Sequence, residues 1–237
     1  NESRVYSGSG LYDLNGELVY RGEDPNNYVK FSGKMWRIVK IENDQVVMIA
    51  NEKGERNVWD DRFNTERDRN DGINDYTVSR IYEKLTEIYQ GDTIFDKNTR
   101  NLLAIHTLYT GKRYESDSYN DGSIEKATFV ERQYIGLLPL YDYINASIDT
   151  NCSSATTESC TNYNYLNHFE YNWWTLTADA SNTYKVYRID NSGAIESIRA
   201  NSNGYIRPVI HLAKDALYVS GTGTESNPYT IKYSKKE

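Results

Sequence analysis

Residues 173–212 contain W-W-T-L-T at 173–177, Y-K-V-Y-R-I-D-N-S-G-A-I-E-S-I-R at 184–199 and G-Y-I-R-P-V-I-H-L at 204–212. Trp174, Leu176, Val186 and Ile189 place apolar side chains between polar ones, so the stretch reads as four short strands. Asp190-Asn191-Ser192-Gly193 is a turn, because Asn and Gly tolerate the positive φ of a tight hairpin. Residues 184–189 and 194–199 are then its two arms. A second turn, Asn201-Ser202-Asn203-Gly204, leads into one further strand over 205–212. Pro208 has no N–H, which places this strand at an edge or a bulge, or leaves it paired on one side there. The adjacent tryptophans have two readings. Both rings pack a core, or one is core and the other lines a surface site.

The N-terminal third continues the pattern. Asn15-Gly16 is a type I′ signal between Leu11-Tyr12 and Leu18-Val19-Tyr20, which makes residues 1–22 a lead-in hairpin. Strands follow at 28–31, 35–41 and 45–50, separated by Ser32-Gly33 and Asn43-Asp44, as an antiparallel meander. Ile81, Leu85, Ile88 and Tyr89 form one face of a helix over 78–90, with Thr77 as cap and Gly91 as C′. A second helix is expected after Asp96, carrying Leu102, Leu103 and Ile105, although residues 105–109 also suit a strand. Residues 134–138 read as a strand, residues 139–146 as a short helix with Pro139 in its first turn, and the chain ends on a closing strand after the Gly/Thr turn at 221–224.

The chain has 237 residues, 27 basic and 34 acidic, for a net charge of −7. No basic stripe appears, which disfavours nucleic acid and anionic membranes as partners. No apolar run reaches the length of a membrane span. The start, Asn1-Glu2-Ser3-Arg4, has neither an initiator Met nor an apolar leader and reads as a processed or trimmed form. Tyr is abundant at 22, with Asn comparably frequent. That pairing suits surfaces that bind through stiff aromatics and adaptable amides, or reflects an AT-rich genome and a β-rich fold. Cys152 and Cys160 flank a polar loop; a disulfide is the simplest reading, worth about 2–3 kcal/mol for so short a loop, and two free thiols are the alternative. The disulfide implies an oxidising, extracellular setting.

The search for chemistry gives little. Residues 68–75, D-R-N-D-G-I-N-D, resemble a calcium loop at first glance, but Gly stands fifth and not sixth, so a solvated turn is expected. His106 and His211 lie in apolar runs and read as core. His168 lies near Glu170, yet no nucleophile elbow accompanies it. Asp60 and Asp61 would point opposite ways in a strand. No metal site, no cofactor and no catalytic residue is expected.

Several stretches together carry a resemblance. They are Asn26-Asn27-Tyr28-Val29 with Phe31, Trp36-Arg37-Ile38-Val39, Tyr134-Ile135-Gly136-Leu137-Leu138 with Asp142-Tyr143, the tryptophan strand, Gly204-Tyr205-Ile206-Arg207-Pro208-Val209-Ile210 with Leu212, and Gly221-Thr222-Gly223-Thr224 with Asn227-Pro228-Tyr229. In this order they resemble an uncharacterised family of surface and secreted domains from Gram-positive bacteria. That family is similar to the C-type-lectin-like fold, in the branch shared with formylglycine-generating-enzyme-like and phage receptor-binding domains. The resemblance runs from about residue 20 to about residue 231. It implies an α+β, β-rich domain over 1–237, with the lead-in hairpin at 1–22, a core at 23–231, twisted antiparallel sheets and about two helices. It implies a non-enzymatic binding or adhesion module on a bacterial cell surface, with a protein or glycan on a host or neighbouring cell as partner. The copper-binding cysteines of formylglycine-generating enzymes and the Glu-Pro-Asn and Trp-Asn-Asp motifs of animal lectins have no counterpart, so neither activity carries over. In such folds the C-terminal strands and loops form the ligand surface, here Tyr171, Asn172, Tyr184, Tyr187, Arg188, Asn201 and Asn203. The rival readings are the head of a pilin or other filament subunit, with other subunits as partners, and an enzyme of unknown class.

Overall fold

The computed structural model describes residues 3–167, 170–213 and 216–233. Strand β1 (Gly10–Leu14) and β2 (Glu17–Arg21) form the expected hairpin, closed by Asn15 and Gly16 at φ 54° and 91°. Next come β3 (Tyr28–Phe31), β4 (Lys34–Glu42), β5 (Gln45–Ala50) and the short β6 (Arg56–Val58). Helices α1 (Arg80–Gln90) and α2 (Lys97–Arg100) follow, then β7 (His106–Tyr109), β8 (Phe129–Gln133) and α3 (Leu140–Ala146). The C-terminal part holds β9 (Trp173–Ala178), β10 (Lys185–Ile189), β11 (Ile195–Arg199), β12 (Asn203–Tyr205), β13 (Val209–Leu212), β14 (Ala216–Ser220) and β15 (Tyr229–Tyr233).

Strand β4 is the spine of an eight-stranded sheet. One edge carries β5, and β13 lies beyond it. The other edge is shared: β3 pairs with the first half of β4, with Tyr28 opposite Arg37, and β2 with the second half, with Leu18 opposite Ile41. The lead-in hairpin is therefore a wing of the main sheet. Strands β15 and β14 extend the β3 wing, with β15 running parallel to β3. A second sheet has the order β11-β10-β9-β12-β6, and β7 pairs with β8 separately. The architecture is β-rich α+β with mostly antiparallel sheets and three α-helices among the described residues.

Adjacent strand residues face opposite ways, and here both ways lead to a core. Trp174, Leu176, Met48 and Ile210 join Trp36, Trp59 and Phe95 in one cluster. Trp173, Val47, Ile49, Tyr187 and Val209 join Tyr143 and Ile144 of α3 in the other. Both paired tryptophans are thus fully buried, in different cores.

Local departures from the expected pattern have local causes. The α1 cap is Ser79, whose Oγ accepts from the Tyr82 N–H at 3.2 Å, and not Thr77; Asp75 instead heads a separate 3-10 turn over Tyr76–Val78. Gly91 has φ −75°, so the left-handed C′ cap is absent. The second helix is a single turn, because Ala104 N–H donates to the His211 carbonyl at 2.8 Å and draws the chain into strand β7. The strand expected at 134–138 lies earlier, at β8. Residues 134–138 are joined to β13 only through Gly136 and Val209, which exchange two 2.9 Å hydrogen bonds. A Cβ on Gly136 would stand 2.3 Å from Leu108 Cδ2, so any larger residue there must displace the buried Leu108 side chain. The strand expected over 205–212 is split. Its first residue ends β12 in the second sheet, residues 206–208 cross between sheets, and β13 joins the first sheet. Pro208 sits in that crossing, where no ladder N–H is needed and its carbonyl accepts from Ala50 N–H at 2.9 Å.

Candidate functional site

The seven residues expected to contact a ligand separate into three groups. Tyr171, Asn172, Arg188 and Asn203 gather where β9 meets β12. The Tyr171 and Tyr205 rings meet edge to face at 5.5 Å, with Lys53 Nζ 5.4 and 5.0 Å above them. The Asn172 carbonyl accepts from Tyr205 N–H at 3.1 Å. Arg188 donates to Glu196 and to the Asn203 carbonyl and lies 5.4 Å over the Trp174 ring, so this cation is spent on structure. Tyr184 and Asn201 lie at the other end of the sheet against the 64–71 loop: Arg67 sits 4.7 Å over the Tyr184 ring, and Asn201 donates to the Asn70 carbonyl at 2.8 Å. Tyr187 corrects the expectation outright. It is 1 % exposed, packs in the second core and donates its hydroxyl to the Arg113 carbonyl at 3.1 Å, so no ligand reaches it.

The 68–75 loop is not a solvated turn either. Asp71 is buried and pairs with Arg67 at 3.0 Å and Arg69 at 3.1 Å. Buried Asn74 donates to the carbonyls of Asp179, Asn182 and Lys185 at 2.8–2.9 Å, which pins the loop to the second sheet. Asp60 accepts from Ile73 N–H at 2.7 Å and Arg80 N–H at 3.0 Å, while Asp61 is exposed and pairs with Arg80. No group of three metal-ligating side chains occurs among the described residues. Cys152 and Cys160 form the expected disulfide. His168 lies outside the described residues.

A charged cluster under α3 went unread in the sequence. Lys40 Nζ lies 3.1 Å from Asp142 Oδ1 and 3.2 Å from Glu42 Oε1, and donates to the Tyr141 hydroxyl at 2.6 Å. Lys40 and Asp142 are each 2 % exposed. The extra residue in β4 at Val39 shifts the ladder register between Ile38 and Lys40, and such a bulge re-aims the side chain that follows it. Burial pushes the Asp142 carboxyl up to about 7 against the pull of Lys40. Burial would lower the Lys40 ammonium, but Asp142, Tyr141 and Glu42 together hold it well above its ordinary value. A cavity of about 20 Å³, room for a single water, adjoins this cluster and His211. His106 and His211 stack at 3.8 Å, as the core reading expects, and burial lowers them to about 4 and about 2.

A wider concavity lies elsewhere. A polar groove of about 360 Å³ lies between the β1–β2 turn, the Asn120-Asp121 turn and α3, lined by Leu14, Asn15, Glu17, Arg21, Asn120, Asp121 and Asn145. Arg21 ties its floor by donating to the Asn145 carbonyl at 2.7 Å and the Ser147 carbonyl at 2.6 Å. Asn145 Nδ2 donates to the Asn120 carbonyl at 2.7 Å, which joins two walls. Glu17 Oε1 holds Lys126 at 2.6 Å, and Asp121 Oδ1 accepts from Ser123. Among the described residues, no hydrogen bond engages the second oxygen of either carboxylate, the Asn15 carboxamide or Asn145 Oδ1. Tyr119, next to Asn120 in the chain, is 70 % exposed. The three lining segments, at 14–21, 120–121 and 145, are far apart in sequence, so no single stretch marks the groove.

No protein-family model, no curated protein and no solved structure matches the chain.

Proposed function

We propose that this chain is a non-enzymatic extracellular binding module, C-type-lectin-like in fold, that recognises a hydroxyl-rich surface ligand, a glycan, on a host or neighbouring cell. The polar groove carries this reading. It is braced by internal hydrogen bonds, is wide enough for a sugar residue, and is lined by carboxylate and carboxamide oxygens that suit paired hydroxyls. Tyr119, which precedes Asn120 of the groove in the chain, is exposed and could supply a stiff apolar face for a sugar ring. The Cys152–Cys160 disulfide accords with an oxidising, extracellular location. No helix among the described residues is long and apolar enough to cross a membrane.

The test is a glycan-array and matrix-protein screen with the purified chain, in calcium and in chelator. The expected result is a carbohydrate hit that Asn15→Ala with Tyr119→Ala weakens about tenfold or more at unchanged melting temperature. A hit weakened instead by Lys53→Ala with Asn203→Ala moves the site to the Tyr171–Tyr205 face. Absence of any glycan hit overturns the reading.

A further inference from the structure

Among the described residues, two cation–carboxylate pairs are buried deep: Arg113 with Glu125, and Lys40 with Asp142. A guanidinium stays protonated and is not a nucleophile, whereas a lysine amine is one once it loses its proton. Lys40 also has a second carboxylate at hand. Glu42 Oε1 is 3.2 Å from Nζ, yet that oxygen, itself buried, makes no hydrogen bond of good geometry. The Tyr141 hydroxyl holds Nζ on one side, Asp142 lies on the other, and Leu137, Leu176 and Val209 wall the adjoining cavity.

We propose that Lys40 and Asp142 join in an intramolecular amide, with Glu42 as the catalytic proton acceptor and Tyr141 as a positioning residue. The buried trio carries one ammonium and two carboxyl groups, and burial keeps Asp142 protonated up to about neutral pH. Nζ passes one proton to the Glu42 carboxylate and adds to Cγ of the neutral Asp142 carboxyl. The Cγ–O bond to the carboxyl hydroxyl then breaks, and that oxygen leaves as water with a proton from Nζ relayed through Glu42. The Nζ–Cγ amide remains, and Glu42 ends as a neutral acid. An ammonium, a carboxylic acid and a carboxylate have become an amide, a water and a carboxylic acid; nothing is oxidised or reduced and no co-reactant is needed. The cavity beside the cluster is large enough for the departing water.

The driving force is the cost of buried charge. In bulk water the separated ions are well solvated. In a dry interior each ion carries a desolvation penalty of several kcal/mol, and a neutral amide does not. The Lys40 ammonium stays protonated despite its burial, so the free amine is a minority species and the bond forms slowly after folding. Once formed, it staples β4 of the main sheet to α3 and closes residues 40–142 into a covalent loop.

The decisive experiment is the intact mass of the purified, disulfide-reduced chain, followed at neutral pH until it is constant. The expected mass is one water below that of the sequence, and a protease digest contains a branched peptide joining Lys40 to Asp142. Lys40→Arg and Asp142→Ala retain the full mass. Glu42→Gln, whose fold is checked by circular dichroism, slows the loss by about a hundredfold or more. A wild-type chain that stays at full mass overturns the proposal. So does loss of one water with only linear peptides, which marks a succinimide.

Discussion

Replacing Glu125 by Ala removes the carboxylate that, among the described residues, pairs with the fully buried Arg113 guanidinium. Arg113 and Glu125 are both without exposed surface and meet at 3.1 Å between Nε and Oε1. Breaking such a pair from one side costs about 3–5 kcal/mol, because the remaining charge stays buried and unpaired. Arg113 retains other acceptors: the Asp117 carbonyl at 3.2 Å, Asn120 Oδ1 at 3.3 Å and the Tyr119 carbonyl at 2.5 Å. These place the expected loss at the lower end, about 3 kcal/mol. Glu125→Gln keeps the volume and one acceptor and should lose roughly half as much. Arg113→Met with Glu125→Leu removes both charges and should cost less than Glu125→Ala alone. Urea unfolding of the three variants measures these differences. The damage should also be local at first. Arg113 N–H donates to the Ala178 carbonyl and its own carbonyl accepts from Ala180 N–H, each at 2.9 Å, so hydrogen exchange should rise first over residues 111–125 and 178–180. A Glu125→Ala loss below about 1 kcal/mol, or a double variant worse than the single one, would refute the reasoning.

Acid should unfold the protein partly through His106. Its pKa is lowered from 6.5 to about 4 by burial, so between these values the unfolded chain binds a proton that the native chain refuses. Stability present above pH 6.5 is lost as pH falls toward 4, by about 3 kcal/mol at most from His106, and His106→Leu should lessen the fall of the urea midpoint across that window, leaving the part that His211 contributes with the same sign. Asp142, raised from 3.8 to about 7, works the other way, so stability falls as pH rises through that range, and this limb vanishes once its carboxyl is an amide. Reducing Cys152–Cys160, or replacing both by Ser, should cost about 2–3 kcal/mol in the chain-entropy account, read as a lower urea midpoint. Tyr187→Ala should cost about 3–5 kcal/mol as a core truncation, while half-buried Tyr184→Ala loses about 1 kcal/mol, mainly its contact with Arg67. Equal losses at the two tyrosines would show that Tyr187 is not where the structure places it.

What the sequence revealed was local. Asn15-Gly16, Ser32-Gly33 and Asn43-Asp44 adopt positive φ at the three turns, because Asn, Gly and Asp tolerate that backbone whatever surrounds them. Helix α1 was legible because Ile81 and Leu85 share one face and carry its burial. Strand β8, F-V-E-R-Q, was missed because its side chains are exposed or half-buried and show no apolar alternation. Tyr184 and Tyr187 do not share a surface: Tyr184 precedes β10 and is half-buried against Arg67, whereas Tyr187 lies within β10 and is buried in the second core. The sharing of the β4 edge by β2 and β3, and the sheet change at Pro208, depend on long-range pairing that no window contains.

The interior charges explain what stayed hidden and give several of the tyrosines a structural role. Arg37 lies 3.6 Å over the Tyr28 ring and 4.9 Å over Tyr165, Arg207 lies 4.7 Å over Trp173, and Lys40 lies 4.7 Å over Tyr141. A composition rule sends every one of these cations to the surface, yet all three are buried. Aromatic faces attract a desolvated cation more strongly than aliphatic side chains do, and a phenol adds a polar atom that aliphatic side chains lack. Tyr141 uses its hydroxyl for Lys40 and Tyr165 for the Ile38 carbonyl, while Tyr143 donates to the Gly193 carbonyl at 2.6 Å. These tyrosines are therefore structural: they give buried cations aromatic faces and give buried carbonyls a donor. The same buried setting places the Asp142 carboxyl and Glu42 each within 3.2 Å of the Lys40 ammonium.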